Sequence, residues 1–332
     1  MINYYYTFNQ YLKERFGKKI YKICIDAGFT CPNRDGSKGV EGCIYCNNNA
    51  FTIIKRTPSS YSQPPIEKQI KEGKAKLLAR YKAEAFLLYF QPYSNTYASL
   101  DKLRKLYDYV YFDKDIVGIS IGTRPDCVNE EIIKLIATYA EYKEVWIEYG
   151  LESAHNTTLQ IINRKHTVED LINAIELTKK YDIKICLHII FGLPYETYQD
   201  MLETVKFISK LPIEAVKFHP LHIVKGSLLY ERGWLEYDKW IAKIPKIIYK
   251  NISEIILPKN IIHNENEFII EVKLLSLEEY VNIVSDALQL LPHNIIIQRL
   301  TGEVLSELLI APDWINKKHL TLKLINQKLK IN

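Results

Sequence analysis

Six apolar runs of strand length recur in this chain, at residues 20–26, 85–91, 116–122, 144–151, 183–192 and 214–224. Helical patterns at 66–81, 99–111, 130–141, 168–181 and 198–211 stand between them. Strands this continuously apolar need cover on both faces, and strands that alternate with helices run parallel. Right-handed crossovers curl such a sheet into a barrel or an open part of one. The expected fold class is α/β: a partial (β/α)6 TIM barrel over residues 20–228, preceded by a helical segment over 1–19. The strand–helix alternation fails after about residue 230, so 229–332 is read as a C-terminal α/β extension packed on the barrel, a candidate substrate- or tRNA-binding segment, with a helix at 276–291 and a short strand at 294–300. Chemistry in this architecture collects at the carboxyl ends of the strands. Polar residues gather there, at Gln91–Asn95, Thr123–Asp126, Glu152, His188 and His219–Lys225.

The stretch after the first strand, CPNRDGSKGVEGCIYCNNN at residues 31–49, carries Cys31, Cys43 and Cys46. No run of eighteen apolar residues is present and the first residues do not form a secretory signal, so no membrane partner and a cytoplasmic location are expected. Six cysteines in such a chain do not suggest a disulfide framework; three bunched in one loop suggest a metal centre. Gly36, Gly39 and Gly42 permit tight turns with positive φ that bring Cys31 towards the Cys43–Cys46 pair. A structural zinc is closed by four ligands, and the first histidine of the chain is His155. An iron–sulfur cluster on three thiolates leaves one iron open. A zinc loop with a borrowed fourth ligand is the alternative. Cys24 and Cys186 lie in apolar strands and Cys127 follows Pro125-Asp126; all three read as structural. The net charge of +5 is mild, and the lysines at 317, 318, 323, 328 and 330 read as a solvated face.

The strings DAGFTCPNRDG…GCIYCNN, FQPYSNTYA, GTRPDCV, WIEYGLESAHNTTLQIINRKHT, LHIIFGLPYET, KFHPLHIVKGS and IIIQRLTGE…APDW follow one another along most of the chain. Together they resemble the YhcC/YtqA (MnmL) family of radical S-adenosylmethionine (SAM) proteins, related to the radical SAM subunit of Elongator. The resemblance implies the radical SAM form of the barrel, with a [4Fe-4S] cluster on Cys31, Cys43 and Cys46 and SAM chelating the open iron. One electron then cleaves SAM, and the 5′-deoxyadenosyl radical abstracts a substrate hydrogen. It places Tyr45 near the adenine, Gln91 at the start of the segment that holds the SAM amino group, and Arg164 on the methionyl carboxylate. Glu152 and His188 are further SAM contacts, although related barrels often carry glutamine where Glu152 stands. The implied substrate is the wobble uridine of tRNA, with 5-carboxymethylaminomethyluridine converted to 5-aminomethyluridine, and the implied electron donor is a flavodoxin or ferredoxin. Tyr93 is a candidate to stack on an extruded base. Arg124 and Asp126 either pair with each other or face substrate. His219, His222 and Lys225 form a charged mouth, and Arg299, His222 or Lys225 is a candidate for the substrate's carboxylate. Two alternatives keep the barrel: radical chemistry on a protein or small molecule, and a non-catalytic zinc protein.

Overall fold

Helix α1 (Phe8–Phe16) begins at Thr7, whose hydroxyl accepts from Gln10 N at 3.1 Å, and ends at Gly17 in the left-handed conformation. In this computed structural model, residues 4–50, 64–236, 239–246, 262–263 and 266–331 are described. The predicted runs become β1 (Ile20–Ile25), β2 (Ala85–Phe90), β3 (Ile116–Thr123), β4 (Glu144–Glu152), β5 (Lys184–Phe191) and β6 (Ala215–Pro220). All pair in parallel with their chain neighbours. Between them lie α2 (Ile66–Tyr81), α3 (Leu100–Tyr107), α4 (Glu130–Ala140), α5 (Asn156–Ile161), α6 (Val168–Lys179) and α7 (Tyr198–Ile208). Helices α6 and α7 start with reciprocal capping boxes, Thr167 with Asp170 and Thr197 with Asp200.

The tail contains more strand than expected. After β7 (Ile223–Val224) and α8 (Leu228–Glu231) come β8 (Gly233–Glu236), β9 (Lys239–Pro245), β10 (Ile262–His263) and β11 (Glu267–Lys273). These last four form a separate antiparallel sheet in the order β10-β11-β9-β8. Helix α9 (Leu277–Leu290) leads to β12 (Ile296–Arg299), which pairs in parallel with β6 and makes the main sheet seven-stranded. The segment expected as a short strand of the extension is thus the last strand of the half-barrel. Strand β13 (Leu309–Ala311) pairs with β7, and α10 (Lys318–Ile331) packs on α9.

Strand alternation sorts side chains between the helix-covered face and the lumen. Val145, Ile147, Tyr149 and Leu151 of β4 belong to the large cluster beneath the helices. Trp146 belongs instead to a second apolar cluster with Ile20, Leu87, Cys186, Ala215 and Ile296, and Phe8 and Leu12 of α1 complete it. The Trp146 and Phe8 rings meet edge to face at 5.4 Å. Glu144 fastens α1 there, accepting from Tyr11 Oη at 2.6 Å and Trp146 Nε1 at 2.8 Å and pairing with Arg15 at 2.6 Å. The amino end of the half-barrel is plugged, and the carboxyl ends of the strands carry the cavity.

Close pairing of β3 and β4 depends on Gly118, where a Cβ would lie 2.0 Å from the carbonyl oxygen of Glu144. Gly118→Ala is expected to part these strands and to destabilise the protein by about 1–3 kcal/mol, seen as a lower denaturant midpoint. An unchanged midpoint would show that the register tolerates a methyl group.

Candidate active site

The loop after β1 is built from its own backbone. Cys31 O accepts from Arg34 N at 2.8 Å, Asn33 O from Gly42 N at 2.7 Å, and Cys43 O from Cys46 N at 3.0 Å. Gly36 and Gly42 have φ of 93° and 75°, so the expected positive-φ turns are present at two of the three glycines. Gly39 does not share that conformation; a side chain there would meet Asn33 Oδ1 at 2.7 Å. The loop is tied to the barrel through Ile44, whose N–H donates to Ile162 O at 3.1 Å and whose carbonyl accepts from Leu229 N at 2.9 Å.

Cys31, Cys43 and Cys46 are free thiols that line one cavity of about 430 Å³. Polar groups surround the sulfurs. Asn33 Nδ2 and Arg164 Nη1 lie 3.8 and 3.6 Å from Cys43 Sγ, and Asn48 Nδ2 lies 3.5 Å from Cys46 Sγ. Arg34 donates to Cys46 O at 2.6 Å. Burial pushes the Cys46 thiol up to about 11, with Arg34 pulling the other way.

Of the SAM candidates, Tyr45, Gln91, Glu152, Arg164 and His188 all line this cavity. Glu152 ends β4 with a φ of 72°, a left-handed conformation that a non-glycine residue rarely adopts. Its carboxylate pairs with Arg164 Nη2 at 3.1 Å. Burial raises its pKa, and Arg164 works against that rise. Arg164 also donates to Gly150 O at 2.8 Å and to His166 Nε2 at 2.8 Å. With its donors engaged by protein atoms, a two-pronged grip on a carboxylate would require Arg164 to release Glu152. Gly192, Leu193 and Pro194, at the end of β5, do not line the cavity; Gly192 packs against Leu275.

Of the substrate candidates, Tyr93, Arg124, His219, His222 and Arg299 line the cavity; Asp126 and Lys225 do not. Arg124 and Asp126 pair with each other through two bonds of 2.8 and 2.9 Å, and Lys38 adds a third contact to Asp126 at 2.5 Å. That carboxylate is therefore engaged away from the cavity. Arg124 Nη1, by contrast, is buried and has no hydrogen-bond partner among the described residues. Lys225 is exposed, and its backbone contacts Leu308 and Asn47.

Beneath these groups lies a layer centred on Glu148, which the sequence reading does not single out although it names His188. Its carboxylate is wholly buried and takes contacts from Lys22 at 2.5 Å, His188 Nε2 at 2.8 Å, Lys217 and Ser120. Despite the cost of burial, Lys217, Lys22 and His188 hold the Glu148 carboxyl well below its usual range. Burial lowers Lys217 to about 8 and His188 to about 4, so His188 is neutral near pH 7. Cys24 also reaches the cavity from β1, whereas Cys127 and Cys186 are buried away from it.

The donor set suits an iron–sulfur cluster better than a single ion. A tetrahedral zinc, about 2.3 Å from each sulfur, would draw all three to within about 3.8 Å of one another. Among the described residues the trios whose ligand atoms lie within 4.8 Å of each other are Glu148–Cys186–His188 and His155–Asp200–Glu203; the loop cysteines are not such a trio. The wider spacing fits thiolates that each hold a different iron, and the unpartnered Arg124 Nη1 fits an anionic group beside them.

A family model described as the radical SAM superfamily matches residues 31–208, and one described as the radical SAM C-terminal domain matches 270–331. YtqA of Bacillus subtilis is 32% identical over 98% of this chain and 89% of its own length. YhcC of Escherichia coli is 35% identical over 73% of this chain and 81% of its own length. A tRNA uridine(34) acetyltransferase of Methanocaldococcus infernus is 32% identical over 35% of this chain and 22% of its own length. Among solved structures, an archaeal Elp3 from Methanocaldococcus infernus superposes with a TM-score of 0.60 at 17% identity, over 93% of this chain and 63% of that one, and so shares the fold. No helix among the described residues is long and apolar enough to cross a membrane.

Replacing any one of Cys31, Cys43 or Cys46 by alanine is expected to abolish bound iron and sulfide after anaerobic reconstitution. Cys24→Ala, Cys127→Ala and Cys186→Ala should keep both. Iron and sulfide assays check this; full loading of a loop variant would remove that cysteine from the ligand set.

Proposed function

The chain belongs to the radical SAM superfamily and, within it, to the family of YtqA and YhcC, and we propose that it modifies the wobble uridine of tRNA in the cytoplasm, converting 5-carboxymethylaminomethyluridine to 5-aminomethyluridine. The superfamily uses a [4Fe-4S] cluster and SAM, which together supply a 5′-deoxyadenosyl radical for hydrogen abstraction. The observation that carries the reading is the set of three free cysteines around a cavity whose deeper wall is cationic, an arrangement suited to an anionic substrate group. Support for the substrate comes from the relative named for uridine 34 of tRNA and from the family resemblance of the strand-end motifs.

In this reading Cys31, Cys43 and Cys46 hold the cluster. Asn33, Asn48 and Arg164 steady two of the sulfurs by donating to them, one of the means by which a protein tunes such a centre. Arg124, oriented by Asp126, would offer its Nη1 amino group to the methionyl carboxylate, while Arg164 keeps Glu152 in place. Tyr45, Gln91, Glu152 and His188 form the rest of the SAM wall. Tyr93, held by its N–H to Asn48 Oδ1 at 3.1 Å, stands where an extruded base can stack. A flavodoxin or ferredoxin supplies the electron.

Reconstituted protein given SAM, a reductant and tRNA bearing 5-carboxymethylaminomethyluridine should release 5′-deoxyadenosine and accumulate 5-aminomethyluridine, read by mass spectrometry of the digested nucleosides. Release of 5′-deoxyadenosine with the tRNA nucleosides unchanged would retire the tRNA assignment and leave a radical SAM enzyme of another substrate.

A further inference from the structure

One step up the strands from the apolar plug, the register brings Cys24 beside Tyr89, His188 beside Lys217, and Lys217 beside Arg299. In this layer, cations outnumber anions. Lys22, Lys217 and Arg299 are set against Glu148, whose two oxygens already take contacts from Lys22, Ser120, Lys217 and His188. The Arg299 side chain lines the cavity and has no hydrogen bond or ion pair with another described residue. The His219 ring also lines it with no hydrogen-bond partner among the described residues, 5.7 Å from the ring of His188. Two other carboxylates line the same cavity. Glu152 is held by Arg164, and Glu303 makes no ion pair with Arg299. A guanidinium left without a carboxylate beside two lysines that share one is an electrostatic surplus, and an entering oxyanion satisfies it.

We propose that Arg299, flanked by His219 and Lys217, is a subsite for a carboxylate carried by the substrate. Within the reading above, that carboxylate is the carboxymethyl group of the modified uridine; the name of its bearer rests on that reading, while the subsite rests on the layer itself. Burial, followed by the nearby Arg299 and Lys217 charges, keeps His219 well below its usual pKa, so it enters the subsite as a neutral ring with one N–H to donate. The subsite lies towards the apolar plug, on the floor of the cavity, where a carboxylate at the tip of a side group can reach it.

The test uses cluster-loaded, SAM-bound protein without reductant, so that nothing turns over. It is titrated with N-methylglycine, with inorganic phosphate, and with tRNA carrying either the carboxymethylaminomethyl or the aminomethyl group. N-methylglycine should bind saturably and more tightly than phosphate, and the tRNA with the carboxylate should bind more tightly than the one without. Arg299→Gln should reduce both carboxylate-dependent affinities by about 10- to 100-fold. Arg299→Lys, which keeps the charge and loses the fork, should lose less, and it serves if Arg299→Gln fails to retain its cluster. Saturable N-methylglycine binding that is lost in Arg299→Gln, with no preference between the tRNAs, supports the subsite and overturns the uridine reading. Carboxylate affinities unchanged in an Arg299 variant with full iron content overturn the subsite. Phosphate binding more tightly than carboxylate, with the same dependence on Arg299, overturns its assignment to a carboxylate.

Discussion

A single buried carboxylate organises the lumen of this half-barrel. Glu148 sits on β4 with no solvent exposure, and the groups it holds come from β1, β3, β5 and β6. Taking one acid and two lysines out of water is costly, and the arrangement survives because every oxygen of Glu148 is matched by a donor. Removing one member of a buried pair typically costs about 3–5 kcal/mol, because the other charge is left stranded. The network therefore fixes which face of each strand turns inward at this level. It also marks the boundary between the apolar plug around Trp146 and the polar cavity above.

The cysteine loop depends on that scaffold without belonging to it. Its turns are its own, set by Gly36, Gly42 and backbone hydrogen bonds, yet its position comes from Ile44, buried and bonded on both sides to segments far away in the chain. Asn163 and Lys165 flank Arg164 with positive φ, so the backbone there is bent to deliver one guanidinium to Glu152, Gly150 and Cys43 at once. Of the non-glycine residues with positive φ, Tyr93 and Glu152 line the cavity and Asn163 and Lys165 flank Arg164.

The sequence made the six parallel strands legible because a half-barrel strand is apolar on its outer face and closely packed within, and turn and cap residues bound each run. The cysteine trio was legible for its spacing and for the lack of a nearby fourth ligand. Other features were harder to read. Lys22, Glu148, His188 and Lys217 each interrupt an apolar strand on its inward side, a pattern that marks charges facing one another across a lumen, but only the closed curvature reveals that they meet. The pairing of Arg124 and Arg164 is a three-dimensional fact that the sequence does not show: Arg164 donates to Gly150 O and His166 Nε2, and Arg124 Nη1 is buried without a partner among the described residues. The antiparallel sheet of the tail was readable in principle from the alternation in KWIAKIP and EFIIEVK. The seventh strand was visible as a strand, but its parallel partner β6 is separated from it by the whole of that sheet and α9.

The plug of Phe8, Leu87 and Trp146 leaves the lumen blind at one end. With that end filled by side chains, the layer around Glu148 is wetted from the side of the strand carboxyl ends, and a ligand lodged there shields its charges from water.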